Sequence, residues 1–213
     1  MNTKKFTKCF QILRFTLGDQ MNLNFVEITG QPCSGKSTFI VNCEENDEFK
    51  KLNINLIKKL IYFINGINSL GLKRSRVLFS WSLAEEAPFF FRINIFLNAV
   101  SRFGIFYKMN LLTSANPRKK LIVDEGVSHL PFIFLKTDTQ EVVNFISHEL
   151  NKADVFFISA PSTKTIKSRL IKRGHKRLSF LSINFFLERV LEIENILLSQ
   201  YPSHCKKFVV LKC

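Results

Sequence analysis

The chain has 213 residues, 46% of them hydrophobic and 23% charged, a balance that suits one globular domain and excludes a disordered, collagen-like or coiled-coil chain. Thirty-one Lys and Arg against seventeen Asp and Glu give a formal charge of +14, which attracts polyanions and leaves nucleotides, nucleic acid and anionic lipid open as partners. The richest apolar runs, Ala87 to Phe91 and Leu130 to Leu135, fall short of the ~18–20 residues that cross a bilayer, so no transmembrane segment is expected.

The first twenty residues mix Lys4, Lys5, Lys8 and Arg14 with Phe6, Phe10, Ile12, Leu13, Phe15 and Leu17. They lack the uninterrupted apolar core and small-residue cleavage site of a secretory leader. Asn24 to Thr29 is a β-prone run that ends at Gly30, and a helix can start at Ser37. Leu56, Leu60, Ile61 and Ile64 recur at helical spacing within 53–69, the stretch from Lys73 to Trp81 is ambiguous, and Pro88 opens a helix towards Met109. Lys119 to Asp124 reads as a basic entry to a buried strand, with a loop at Gly126. Gln140 to Asn151 suits a helix, Val155 to Ser159 a buried strand, Ser162 to Lys172 and Ile183 to Ser199 helices, and Lys207 to Leu211 a last strand. Strands alternating with helices predict an α/β fold with a mostly parallel sheet and a ligand site at the carboxyl ends of its strands. No linker or internal repeat divides the chain. The five cysteines, Cys9, Cys33, Cys43, Cys205 and Cys213, are scattered and form no C-x-x-C pair, which predicts reduced thiols in a cytoplasmic protein.

Gly30-Gln31-Pro32-Cys33-Ser34-Gly35-Lys36-Ser37 satisfies the phosphate-loop pattern G-x-x-x-x-G-K-[ST], with a strand before it and a helix after it. The chemistry needs this arrangement. Successive N–H groups must converge on a phosphate, which demands glycine where a Cβ would obstruct, at Gly30 and Gly35. Lys36 adds charge against the β and γ phosphates, Ser37 offers a hydroxyl to Mg²⁺, and the helix directs its positive end at the anion. Cys33 reads as a small loop residue, or as a thiol made reactive by the helix terminus.

Asp124, after three apolar residues, is placed as a metal-holding carboxylate on a strand beside the loop. Glu125 is either a general base or a surface or cap-forming carboxylate. His129 lies near it in sequence, where a lone histidine is more often structural. Arg169, Lys172, Arg173, Lys176 and Arg177 crowd around Gly174; such a segment either closes over a phosphoryl group in transfer or is a solvated helix end.

On GQPCSGKST near the start, LIVDEG in the middle and RLIKRG towards the end, the chain resembles the P-loop kinases, especially the nucleotide-kinase and thymidylate-kinase-like group, over roughly Asn24 to Leu211. The resemblance implies a three-layer P-loop NTPase fold, a mostly parallel five-stranded sheet flanked by helices, with a small basic lid in which Arg169 and Arg173 cover ATP. That group usually has glycine at the position of Cys33, and thymidylate kinases usually have arginine at that of Glu125, which argues against thymidylate as acceptor. The Asp-Glu-Gly form with His129 nearby looks more like uncharacterised kinase-like proteins, some associated with surface-polysaccharide biosynthesis. By the same analogy Met21 is a natural first residue, 1–20 a dispensable amphipathic extension and 21–213 the kinase-like domain.

The expected protein is therefore a phosphotransferase that uses ATP and Mg²⁺ on a small acceptor such as a nucleotide, nucleoside or sugar derivative. Gly30, Gln31, Pro32, Cys33, Ser34, Gly35, Lys36, Ser37 and Thr38 would bind the triphosphate, and Ser37 and Asp124 the metal. Lys36, Arg169 and Arg173 would stabilise transferred charge, with Glu125 the candidate base. Within Pro88 to Lys108, Arg92 and Arg102 either meet an anionic acceptor or are surface charges. Two rivals stand beside this reading. One is an ATPase or GTPase switch in which Glu125 activates water, although no guanine-selecting N-K-x-D is evident. The other is a P-loop protein that binds nucleic acid through its positive charge.

Overall fold

The computed structural model describes residues 25–45, 49–52, 56–115, 121–159 and 162–212; the extension expected over 1–20 and the start at Met21 lie outside the described residues. Strand β1 (Phe25–Gly30) is buried at every position. It pairs in parallel with β3 (Leu121–Asp124) on one side and β4 (Asp154–Ser159) on the other. Beyond β4 lies β5 (Lys207–Lys212), and beyond β3 a two-residue strand, β2 (Lys50–Lys51), so the order is β2-β3-β1-β4-β5 with every pair parallel. Strands covered on both faces carry near-continuous apolar runs, which is why FVEIT, LIV and VFFIS stood out. Two lysines carry no such pattern, and β2 was not expected.

Among the described residues six α-helices flank the sheet: α1 (Lys36–Glu45), α2 (Leu56–Ala84), α3 (Phe89–Ala115), α4 (Thr139–Leu150), α5 (Thr163–Arg173) and α6 (Ile183–His204). Two 3₁₀ turns, Val127–Phe132 and Lys176–Ser179, follow β3 and α5. The five-stranded sheet between helical layers is the expected α/β fold. Alternation along β1 sends Val26 and Ile28 into a core shared with Phe39, Ile40 and Cys43 of α1. It sends Phe25, and with it Glu27 and Thr29, to the opposite face, where the larger core lies.

Helix α2 runs straight through the ambiguous Lys73–Trp81 stretch, with a break in helical geometry at Gly71 (φ 69°, ψ 170°). Its inner face is Tyr62, Gly66, Leu70 and Leu78, whereas Leu60, Ile61 and Ile64, the residues whose spacing marked the helix, are exposed. Spacing identifies a helix but not the side on which its neighbours sit. Helix α3 extends past Met109 and, contrary to the estimate from short apolar runs, is long and apolar enough to meet the length and hydropathy of a membrane span. Its Ala99, Val100, Phe103, Phe106 and Met109 are buried, and Phe106 meets Phe25 of β1 edge-on at 5.8 Å between ring centres. Cys33 and Cys205 are free thiols.

Candidate functional site

The loop that joins β1 to α1 has the backbone its glycines predict. Gly30 has φ 133° and Gly35 φ 114°, values that side chains with a Cβ rarely adopt. A Cβ on Gly30 would also lie 2.3 Å from the carbonyl oxygen of Ile158 in β4. Cys33 occupies the left-handed region too, at φ 65°. Lys36 is buried and folds back across the loop. Its Nζ donates to the carbonyls of Gly30 (3.0 Å) and Gln31 (2.8 Å) and lies 3.4 Å from Glu125 Oε1. Ser37 and Thr38 are exposed at the start of α1. A cleft of about 200 Å³ opens here, lined by Pro32, Cys33, Gly35, Lys36, Ser37, Thr38, Glu125, Arg173 and His175.

Register places Asp124 beside Ile28, so β3 ends next to the root of the loop. Asp124 Oδ1 is buried and has no hydrogen-bond partner among the described residues. Burial pushes its carboxyl above the ordinary range and Glu125 adds to the effect, with Lys36, Lys51 and Arg102 acting against it. The unpartnered Asp124 oxygen with the Ser37 hydroxyl, exposed at the start of α1, is a hard oxygen donor set. It fits Mg²⁺, which takes few protein ligands and completes its shell with phosphate and water.

Glu125 turns the chain out of β3 at φ 58°, with its N–H on the Ile28 carbonyl at 2.9 Å. Lys36 and His129 (Nε2, 3.5 Å) approach Oε1, and Arg102 reaches Oε2 at 3.3 Å while also donating to the Gly126 carbonyl at 3.1 Å. His129, Arg102 and Lys36 hold the Glu125 carboxyl well below the usual carboxylate range, although burial opposes them. Burial pushes the His129 imidazole well below its ordinary value, with Glu125 pulling the other way. Of the two arginines on α3, Arg102 belongs to the site; Arg92 donates to the carbonyls of Ala87 (2.7 Å) and Leu83 (3.0 Å) and closes the end of α2 instead.

The basic segment divides. Helix α5 stops at Gly174, whose left-handed φ of 59° caps it, and its last turns carry two arginines to the loop. Arg169 donates to the Cys33 carbonyl at 2.9 Å and Arg173 lies 3.9 Å from Cys33 Sγ. Arg177 instead turns inward, buried, to donate to the carbonyl of Ile133.

Three buried polar residues of this region were absent from the expected set. Glu27 is 1% exposed in the middle of β1. Its two carboxylate oxygens accept the N–H groups of Val127 (3.1 Å) and Ser128 (2.8 Å), and burial raises its carboxyl above the ordinary range in spite of those bonds. Glu194 on α6 accepts from the side-chain amide of Gln31 and from Ser159 Oγ (3.1 Å), so it ties the loop to the end of β4. Tyr201 donates to the Ser128 carbonyl at 2.6 Å. A signal existed for the two acids: each is a lone carboxylate within an otherwise buried apolar stripe.

No protein-family model and no curated protein matches the chain. Among solved structures it is similar to deoxyadenosine kinase from M. mycoides with bound dATP, at 15% identity, a TM-score of 0.49 and coverage of 88% of this chain and 90% of that one. It is similar also to YorR protein from Bacillus subtilis in complex with phosphorylated GDP, at 16% identity, a TM-score of 0.44 and coverage of 89% and 85%. At such values the reaction and substrate have to be argued from this chain's own residues.

Proposed function

We propose that the protein is a phosphotransferase that moves the terminal phosphoryl group of ATP to a small acceptor, such as a nucleotide, nucleoside or sugar derivative. The observation that carries the reading is the cleft that the loop from Pro32 to Thr38 shares with Glu125 and Arg173, with the unpartnered Asp124 oxygen at the end of the neighbouring strand and Arg169 on the Cys33 carbonyl. Each part has a task in that reaction. The loop amides and Lys36 would bind and orient the β and γ phosphates, which would replace the contacts of Lys36 with two loop carbonyls and Glu125. Ser37 and Asp124 would hold Mg²⁺, which when bound neutralises phosphate charge. Arg169 and Arg173 sit over the loop at Cys33, where they would stabilise the equatorial oxygens of the group in transfer and exclude water.

Glu125 lines the same cleft and is the candidate to receive the acceptor's proton. As held between Lys36, Arg102 and His129 it is a weak base, so this role requires its carboxyl to leave that clamp. Arg102, which reaches the Glu125 carboxylate, is the arginine of α3 that would meet an anionic acceptor. Lid arginines over the loop favour transfer to a bound acceptor over release to water. The test is a screen of nucleoside, nucleotide and sugar acceptors with labelled ATP, on wild type, Lys36→Ala and Asp124→Asn. Transfer that depends on an acceptor and drops by about 10²-fold or more in Lys36→Ala is expected. Hydrolysis without any acceptor requirement, or equal transfer by all three proteins, would overturn the reading.

A further inference from the structure

The buried acid of β1 has no part in the steps just described, yet it touches the turn that carries Asp124 and Glu125. We infer that Glu27 is a positioning residue that fixes the Asp124-Glu125-Gly126 turn from beneath, and that Gly126 is glycine because the Glu27 carboxyl occupies the space of its side chain.

Three observations converge. Glu27 lies on the face of β1 opposite the α1 core, and its carboxylate accepts from the two N–H groups that immediately follow Gly126, at 3.1 and 2.8 Å. Those N–H groups belong to the first turn of the 3₁₀ segment, where the backbone has no earlier carbonyl to bind. A Cβ built on Gly126 would fall 2.2 Å from Glu27 Cδ and 2.3 Å from its Oε1. Gly126 itself has φ −70°, a value open to any residue, so it is contact with Glu27 and not backbone freedom that demands glycine.

The same turn is held above by Arg102 on the Gly126 carbonyl and behind by Tyr201 and Thr29 Oγ1 (3.3 Å) on the Ser128 carbonyl. Between these fixed points Glu125 takes its left-handed φ of 58°, a conformation that persists only where its surroundings impose it. Neutral packing would serve β1 as well as a carboxylate does. Replacing Glu27 by an apolar residue would leave two buried N–H groups without acceptors, directly below the residues that face the cleft.

The experiment reads the turn directly, by hydrogen exchange of the 121–132 region of the full chain, with Val155→Ala, opposite Glu27 in the adjacent strand, as a control for loss of packing beside β1. In Glu27→Gln, whose amide offers one acceptor and one donor in place of two acceptors, the amides of Val127 and Ser128 should exchange at least tenfold faster, and in Val155→Ala they should not. Gly126→Ala evicts the carboxyl from the other side and should accelerate the same amides, so the test survives if Glu27→Gln does not fold. In a Glu27→Ala background Gly126→Ala should add little further. This arm is independent of the phosphotransfer reading. A second arm rests on that reading: the Mg²⁺-dependent gain in affinity for a fluorescent ATP analogue should fall about tenfold in Glu27→Gln, while affinity without Mg²⁺ stays. Equal exchange in Glu27→Gln and Val155→Ala, or a Gly126→Ala effect undiminished by Glu27→Ala, would overturn the inference. If exchange behaves as expected and wild type binds no nucleotide, the positioning role stands and the functional reading fails.

Discussion

The phosphate loop and the acidic turn face each other across one cleft, but they are built by opposite means. The loop is assembled from consecutive residues: Gly30 and Gly35 supply the backbone angles, and Lys36 folds back onto the carbonyls of its own loop, five and six residues away. The turn is assembled from a distance. Glu27 lies about a hundred residues earlier, Arg102 on another helix, Tyr201 near the far end of the chain. Distant residues reach the loop too, Glu194 at Gln31 and Arg169 at the Cys33 carbonyl, but its backbone angles come from its own glycines, whereas those of the turn are imposed by the elements that pack against it.

The difference appears also in charge. The turn holds Glu125 at the cleft and draws Asp124 and Glu27 inward, and burial raises the carboxyls of Asp124 and Glu27. For an acid whose folded-state value is raised, the stabilising contribution is complete below the unfolded value and is lost as the pH rises through the folded one. At neutral pH the ionised Asp124 therefore costs stability in the metal-free protein. Asp124→Asn should raise the Tm by a few degrees in chelator-treated buffer at pH 7. That gain should shrink as the pH is lowered through the raised range in which wild-type Asp124 takes up its proton. A thermal scan series over pH checks both, and a lower Tm for Asp124→Asn at pH 7 would show that the turn is not a stored cost.

The loop has a smaller reserve of its own. Cys33 stands at φ 65°, a left-handed conformation that costs a residue with a Cβ about 1–2 kcal/mol and glycine almost nothing. Part of a Cys33→Gly gain is cancelled by the extra freedom of glycine in the unfolded chain, so a rise of about 0.5 kcal/mol is expected in denaturant titration. Because Arg169 binds the Cys33 carbonyl and not its side chain, that bond should survive the substitution. A fall in stability would mean that the sulfur contact to Arg173 matters more than backbone angle.

What could be read from the sequence follows the same division. Gly30 to Thr38, Asp124 and the arginines of α5 were legible because their spacing is local: a loop after a strand, a carboxylate at a strand end, a basic helix terminus. The helix from Leu56 was legible as a helix but not its length, since nothing in Lys73–Trp81 separates strand from helix without the packing of Gly66 and Gly104 against α3 and α2, where a Cβ would lie about 2 Å from a backbone oxygen. Arg102 and Arg92 looked alike, ten residues apart on one helix; only the approach of the Glu125-Gly126 turn to Arg102 distinguishes them. Glu27 and Glu194 are marked in sequence by being acids among apolar neighbours, but their partners, Val127, Ser128 and Gln31, are set by tertiary contact alone.

The claim beneath all of this is that the Lys36 loop and the Asp124 turn together grip a magnesium-bound triphosphate. Calorimetric titration of the full chain with ATP, with and without Mg²⁺, tests it most directly. Wild type should bind more tightly with the metal present, Asp124→Asn should lose that increment alone, and Lys36→Ala should weaken binding by about 10- to 100-fold in both conditions, the range for a lost charge-assisted hydrogen bond. Wild-type binding that is absent, or that matches Lys36→Ala at every Mg²⁺ concentration, would contradict it.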